Sequence, residues 1–308
     1  MSLDYLDETV NLLGEYTNGN YKVRLYDDGT KIRWNGEDNF SPQFPESIDL
    51  NISNRCNQGC PFCYVNATPD GAIANLHHPI LNSLHPYTEL ALNGNGMFDE
   101  GILPYFTSFL KRMRTQGIVC NLTMHVDQFV KEYDTIYNLQ ADNLLHGIGI
   151  SVNTPLDKYA ARLIKKTPHA VIHIIAGIVS PYDILKMAST NAALLILGYK
   201  VCGRGKNYRD AHAGLLQNIA TVEDSLSDFM RDFKLVSFDN LAIKQLHVRD
   251  HVSEAVWNTY YMGDDGNYTM YIDLVNEKYA PSSLDEGKPL FSNNIDEVFA
   301  EVRNGSIN

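Results

Sequence analysis

The sequence predicts an α/β protein: a partial (β/α)6 barrel of parallel strands with β-hairpin additions at its N-terminal and C-terminal ends. Three observations lead there. Six apolar runs between residues 47 and 200 alternate with amphipathic stretches, which is the pattern of parallel strands joined by helical crossovers. Turn sequences rich in Gly and Asp punctuate alternating runs outside that stretch, as hairpins require. The chain has 308 residues, 44% of them apolar, enough for one large barrel with terminal additions. The expected division is an extension over 1–46, a core over 47–214, and helices with a hairpin over 215–308.

In chain order, Tyr21 to Trp34 reads as the first hairpin. Val23 and Leu25 alternate with Lys22 and Arg24, Asp28-Gly29 turns the chain, and Ile32 and Trp34 alternate with Lys31 and Arg33. It should cover one end or edge of the main fold. Asp49 to Ser53 is the first core strand and Glu89 to Leu92 the second. The helix after it, Ile102 to Gln116, carries Phe106, Phe109, Leu110 and Met113 on one face and stops at Gly117. Ile118 to Met124 is the third strand, followed by a helix capped by Asp127. Gly147 to Val152 is the fourth, with Thr154-Pro155 opening the next helix. Ala170 to Ile178 is the fifth, followed by a Ser180-Pro181 helix start, and Ala192 to Tyr199 is the sixth. These runs read as apolar on both faces. Beyond them come one long helix over Leu215 to Phe233, a short strand over Leu235 to Phe238, and a hairpin pairing Trp257–Met262 with Tyr268–Val275 through Gly263-Asp264-Asp265-Gly266-Asn267. A peripheral helix and tail complete the chain.

A formal net charge of −12 repels polyanions, so bulk nucleic-acid binding is not expected. The longest apolar stretches, Ala170 to Val179 and Ala192 to Tyr199, are too short to span a bilayer. The acidic start, with Asp4, Asp7 and Glu8, lacks the features of a signal peptide. Three of the five cysteines lie within eight residues, which argues for a reducing cytoplasm and against a disulfide framework.

Those three are Cys56, Cys60 and Cys63. Gly59 and Pro61 force a tight loop around the middle one, so three sulfurs can point at one centre. Thiolates are the ligands of iron-sulfur clusters, and a [4Fe-4S] cubane ordinarily takes four. Three leave one iron open to a small molecule. Cys120 and Cys202 are far off in sequence, so no fourth cysteine is expected nearby. Zinc, with His77 or His78 completing a tetrahedral set, is the other reading of the same residues.

The run Cys56-Asn57-Gln58-Gly59-Cys60-Pro61-Phe62-Cys63 resembles the signature loop of the radical S-adenosylmethionine enzymes, whose fold is an incomplete barrel. The resemblance covers roughly Asp49 to Lys200. It implies that the cysteines hold a [4Fe-4S] cluster and that S-adenosylmethionine chelates the fourth iron. Reductive cleavage would then release a 5'-deoxyadenosyl radical that takes hydrogen from a substrate, with flavodoxin or ferredoxin as external electron donor. By resemblance, Asn93-Gly94-Asn95 stands where the family has a Gly-Gly-Glu type motif holding the methionine amino group, with Asn in place of the acid. Ser151 and Asn153 would meet the ribose and carboxylate. The segment around Gly177 and the Phe62 ring would enclose adenine. A cofactor-binding regulatory protein without turnover is the alternative that Asn95 leaves open. No further cysteines of an auxiliary-cluster domain are present, so a single cluster is expected.

Other residues at strand ends are candidates for substrate. Lys200 to Arg209 places four cations and two glycines in ten residues, and Lys200 and Arg204 would orient an anionic group. His125 and His173, on or just after the third and fifth strands, can donate hydrogen bonds or move protons. A peptide or protein side chain and a small phosphorylated, nucleotide-like metabolite are both compatible with these groups.

Overall fold

A computed structural model describes residues 10–37 and 39–305; the acidic start at Asp4, Asp7 and Glu8 lies outside them. The chain opens with β1 (Leu12–Asn18), β2 (Tyr21–Tyr26) and β3 (Lys31–Trp34), an antiparallel three-stranded sheet with β2 in the centre. The expected hairpin is its β2–β3 half, and β1 adds a strand.

Next come β4 (Ser47–Asn51), β5 (Glu89–Asn93), α1 (Leu103–Thr115), β6 (Val119–His125), α2 (Val126–Lys131), α3 (Tyr133–Ala141), β7 (Ile148–Ser151), α4 (Lys158–Lys166), β8 (Ala170–Ile175), α5 (Pro181–Met187) and β9 (Ala193–Leu197). The six predicted core strands are all present. Two helix starts differ from expectation. His125, not Asp127, caps α2, its Nδ1 accepting from the Asp127 N–H at 3.2 Å. Asp157 caps α4 by accepting from the Tyr159 and Ala160 N–H groups, so Thr154-Pro155 lies in the approach to that helix. A carboxylate free to accept two N–H bonds satisfies a helix terminus better than a proline can.

The remainder holds α6 (Arg204–Ala211), α7 (Leu215–Asp224), α8 (Leu226–Asp232), β10 (Val236–Phe238), α9 (Asn240–Gln245), α10 (Glu254–Tyr260), β11 (Thr269–Asp273), β12 (Lys278–Ala280), β13 (Lys288–Pro289) and α11 (Ile295–Gly305). The single helix expected over Leu215–Phe233 is two, interrupted at Ser225. The expected strand Trp257–Met262 falls on α10, which Ser253 caps and in which Trp257 stacks on Tyr261 at 4.3 Å, one helical turn on. The C-terminal hairpin therefore pairs β11 with β12. Nor is the last helix peripheral, for Ile295, Val298, Phe299 and Val302 of α11 are buried in the common core.

The main sheet has ten strands in the order β10-β9-β8-β7-β6-β5-β4-β11-β12-β13. From β10 to β11 every neighbouring pair is parallel, so the parallel portion has eight strands and not six. The additional two are β10 and β11, and β11 lies beside β4. The sheet curls strongly. Arg204, just after β9, donates its N–H to the Cys63 carbonyl in the loop after β4 at 3.0 Å, although five strand positions separate β9 from β4.

The faces of this sheet differ in chemistry. Ile48, Leu50, Leu90, Leu92, Leu122, Ile150, Ile172, Ile174, Leu194 and Ile196 point outward into the helix layer and are fully buried. Each such side chain contributes on the order of 1.5–3 kcal/mol. The opposite face carries Asp49, Asn121, Thr123, His125 and His173 and retains solvent access. The expectation of strands apolar on both faces holds for β9, where Ala193, Leu195 and Leu197 share the inner face, but not for β4, β6 and β8, whose polar side chains make the inner face a partly polar chamber. The three-stranded sheet closes the end where these strands begin. Lys31 of β3 reaches Glu89 at 2.6 Å and the Ser47 hydroxyl at 2.7 Å, and Arg33 forks onto Glu46 at 2.7 and 2.9 Å. Among the described residues no helix is long and apolar enough to cross a membrane.

Candidate functional site

At the opposite end, where the parallel strands finish, the chain leaves β4 into the cysteine loop. A set of amides holds that exit. The Asn93 side chain accepts from the Ile52 N–H at 2.8 Å and donates to Asn51 Oδ1 at 2.6 Å and to the Ser53 carbonyl at 2.5 Å. Its polar atoms are thus committed to the base of the loop. Cys56 N–H donates to the Thr68 carbonyl and Asn54 N–H to the Ala72 carbonyl, so the outgoing and returning limbs are tied together. Gly59 has φ +62, a left-handed conformation that glycine adopts without cost. The Cys63 N–H then closes a turn on the Cys60 carbonyl at 3.2 Å.

All five cysteines are free thiols, and those of the loop are half-buried. Asn95 donates an amide hydrogen bond to Cys56 Sγ at 3.1 Å, and Asn153 one to Cys60 Sγ at 3.5 Å. Burial, then the neighbouring Cys56 and Cys63, push the Cys60 thiol up from its ordinary range. A positively charged centre beside Cys60 would favour its thiolate. An all-sulfur donor set with amide donors to the sulfurs fits an iron-sulfur cluster.

Among the described residues no three His, Cys, Asp or Glu side chains are gathered tightly enough to hold one metal ion. Mononuclear zinc needs its sulfurs about 2.3 Å from a common centre, whereas a polynuclear cluster gives each thiolate its own iron. His77 and His78, the candidates for completing a zinc site, each have one ring nitrogen engaged within the protein. His77 Nδ1 lies 2.7 Å from Arg112 Nη1, and His78 Nδ1 accepts from the Ile80 N–H at 3.2 Å. Sequence distance misled in one respect: Cys202 lies within electrostatic reach of Cys63. Cys120 is buried on the helix side of β6 and its thiol is pushed up to about 12 by desolvation.

The remaining predicted residues distribute as follows. Phe62 packs edge-on against Tyr208, with ring centroids 5.6 Å apart. Gly94 donates its N–H to the Thr123 carbonyl at 2.7 Å. Ser151 ends β7 between His125 and His173 in register on the inner face. Gly177 has φ +84, and a Cβ there would meet Ile219 of α7 at 2.7 Å, so its lack of a side chain serves helix packing. His125 is lowered by burial, with Asp127 opposing, and His173 is lowered to about 4 by burial. Both rings are therefore neutral at pH 7.

The basic segment turned out differently. Arg204 donates Nε to the Cys60 carbonyl and Nη1 to the Ala67 carbonyl, each at 3.0 Å. With its backbone bond to Cys63 it clamps the cysteine loop from the β9 side. Arg209 pairs with Asp210 at 2.8 Å. Lys200 donates to the Ser283 hydroxyl at 2.6 Å and sits 4.0 Å above the Tyr64 ring. No local signal in the sequence marks Arg204 as a loop clamp, because its partners are backbone carbonyls.

A cysteine loop leaving the first core strand, over the ends of a large curved parallel sheet, is the arrangement of the radical S-adenosylmethionine enzymes, and the chain has their fold. Similar solved structures include SuiB of Streptococcus suis bound to precursor peptide SuiA, with a TM-score of 0.58 and 14% identity over 86% of this chain and 67% of that one. SuiB bound to S-adenosylmethionine gives 0.57 at 14% identity, covering 86% and 68%. AnSMEcpe with bound AdoMet gives 0.51 at 14% identity, covering 78% and 74%. At these identities the likeness is one of fold. No family model matches the chain, and no curated protein matches it in sequence.

Proposed function

We propose that the chain is a single-cluster radical S-adenosylmethionine enzyme acting on a peptide. The observation that carries this reading is the loop of Cys56, Cys60 and Cys63 at the strand ends, with Asn95 and Asn153 donating to its sulfurs. These cysteines would hold a [4Fe-4S] cluster. When bound, cluster and S-adenosylmethionine together supply reductive cleavage of the sulfonium and removal of a hydrogen atom from the substrate.

The protein's own residues have the remaining tasks. Asn95 and Asn153 hold two sulfurs by their amides, and Asn95 Oδ1 also accepts the His125 N–H at 3.3 Å, which ties the loop to the end of β6. Asn93 and Gly94 shape the backbone beside the cofactor. Ser151, with Asn153, offers hydrogen bonds to its ribose and carboxylate, and Phe62 and the Gly177 segment line the adenine side. Arg204 keeps the loop closed over the chamber, which limits water at the reacting atoms.

A peptide is favoured over a phosphorylated metabolite because three of the four cations of the basic segment, Lys200, Arg204 and Arg209, are engaged within the protein. SuiB has been seen with a precursor peptide bound, which agrees with this substrate class. Flavodoxin or ferredoxin would supply the electron, in a reducing cytoplasm. The test is anaerobic reconstitution with iron and sulfide, followed by S-adenosylmethionine and dithionite. 5'-Deoxyadenosine is expected from the native protein and not from Cys60→Ala. Equal traces from both would leave a cofactor-binding protein without turnover.

A further inference from the structure

The inner face of the sheet holds a carboxylate that the cofactor site does not use. Asp49 lies at the middle of β4, between Tyr271 of β11 and Ala91 of β5 in the register of the sheet. Period-two alternation puts Ser47, Asp49 and Asn51 on the same face. Asp49 is exposed to water, as a residue on the concave inner face of the curled sheet can be. Ala91 beside it is likewise accessible, so the space next to the carboxylate is open.

No described residue donates a hydrogen bond to this carboxylate or forms an ion pair with it. Desolvation by the surrounding protein raises the Asp49 carboxyl from its ordinary range, and Lys200 opposes this, but the Lys200 ammonium is itself held by Ser283 at 2.6 Å and over the Tyr64 ring. Asp239, the other charged neighbour, is committed to the N–H groups of Gly198 and Ala242 at 2.9 and 2.7 Å. The rings of Tyr64 and Tyr271 are also near Asp49. An accessible, unpartnered carboxylate beside aromatic rings is a place where a cation can dock.

We propose that Asp49 anchors a cationic group of the substrate, a primary ammonium or a guanidinium, within this chamber. For the peptide reading this selects a substrate bearing Lys, Arg or a free amino terminus near the reacting position. The inference rests on that reading for the word substrate, but the cation site itself stands on β4, β5, β11, Tyr64 and the segment after β9.

Its test therefore needs neither cluster nor S-adenosylmethionine. The purified full chain is titrated at low salt with n-butylammonium, n-butanol and n-butyrate, and binding is followed by saturation-transfer NMR. The native protein should bind butylammonium at least tenfold more tightly than butanol or butyrate, and Asp49→Asn should abolish the preference. Ala91→Leu, which fills the open space without touching the charge, should weaken butylammonium binding by a similar factor. If the native chain does not prefer the ammonium, or if either variant keeps the full preference, the proposal fails. Formation of 5'-deoxyadenosine tests the radical reading separately, so failure of one leaves the other standing.

Discussion

At the scale of single residues, the contacts of the cysteine loop decide which changes matter. Asn95→Ala removes the amide bonded to Cys56 Sγ at 3.1 Å. Outer-shell partners of metal ligands typically account for about 10- to 100-fold in affinity or activity. We expect a loss of that size in 5'-deoxyadenosine formation, with lower iron content and weaker visible absorption after reconstitution. Arg204→Met tests a different idea. Arg204 joins two loop carbonyls through a charged group, and bonds of that kind are worth about 1.5–3 kcal/mol each. Urea unfolding should show a loss of roughly 2–3 kcal/mol, together with poor iron retention; an unchanged midpoint with only substrate binding lost would make Arg204 a substrate residue after all. His173 supplies the pH dependence. Its ring is lowered to about 4 in the folded protein against about 6.5 in an unfolded chain. The unfolded state thus binds more protons between those values, and stability falls as pH drops from 6.5 towards 4. His173→Gln should flatten this slope, so that the difference in urea midpoint between pH 7 and pH 5 narrows.

Among elements, the three-stranded sheet is joined to the main one chiefly through charge. Lys31 lies 2.6 Å from Glu89 and 3.9 Å from Glu46, with side chains 5%, 15% and 0% exposed respectively. Tyr21 donates to Glu46 at 2.6 Å, and Arg33 stacks over Tyr268 at 3.9 Å. Replacing one partner of such a group leaves an uncompensated buried charge, which costs about 3–5 kcal/mol. Lys31→Met should lose stability of that order in chemical denaturation, and Lys31→Met combined with Glu89→Gln should recover part of it. Which elements could be read in advance follows from similar physics. β4 to β9 were legible because each is an apolar run between turn signals, and the cysteine loop because its chemistry lies within eight residues. α10 was not: Trp257 to Met262 is rich in the Trp, Thr and Tyr that strands favour, but Ser253 caps a helix and the Trp257–Tyr261 stack rewards it. Asp49 was read as part of a strand and not as a site, since its environment is assembled from β5, β11 and the loop after β9.

For the whole molecule, the least legible feature is how far apart in sequence its closing contacts are. Tyr271 pairs in register with Asp49, and nothing local to either residue specifies a parallel partner that distant. The end of the chain then returns to its beginning. Ile295 N–H donates to Ser83 Oγ, Asp296 accepts from Gln43 Nε2 and lies 2.8 Å from His85 Nε2, and Arg303 donates to the Pro42 carbonyl at 2.7 Å. The apolar contribution can be sized. α11 buries Ile295, Val298, Phe299 and Val302, each 3% exposed or less, and at about 1.5–3 kcal/mol apiece they represent roughly 6–12 kcal/mol of gross burial. Net stability of a domain is only about 5–15 kcal/mol, so this one helix is comparable with the whole margin. Stopping the chain at Asn293 should therefore abolish cooperative unfolding, and not merely lower its midpoint. It would also uncover the apolar surface that α11 shields, so aggregation is expected alongside. Near-UV circular dichroism and gel filtration of the truncated chain provide the measurement. A monodisperse species with native aromatic signal would mean that the sheet from β10 to β13 holds itself together without α11.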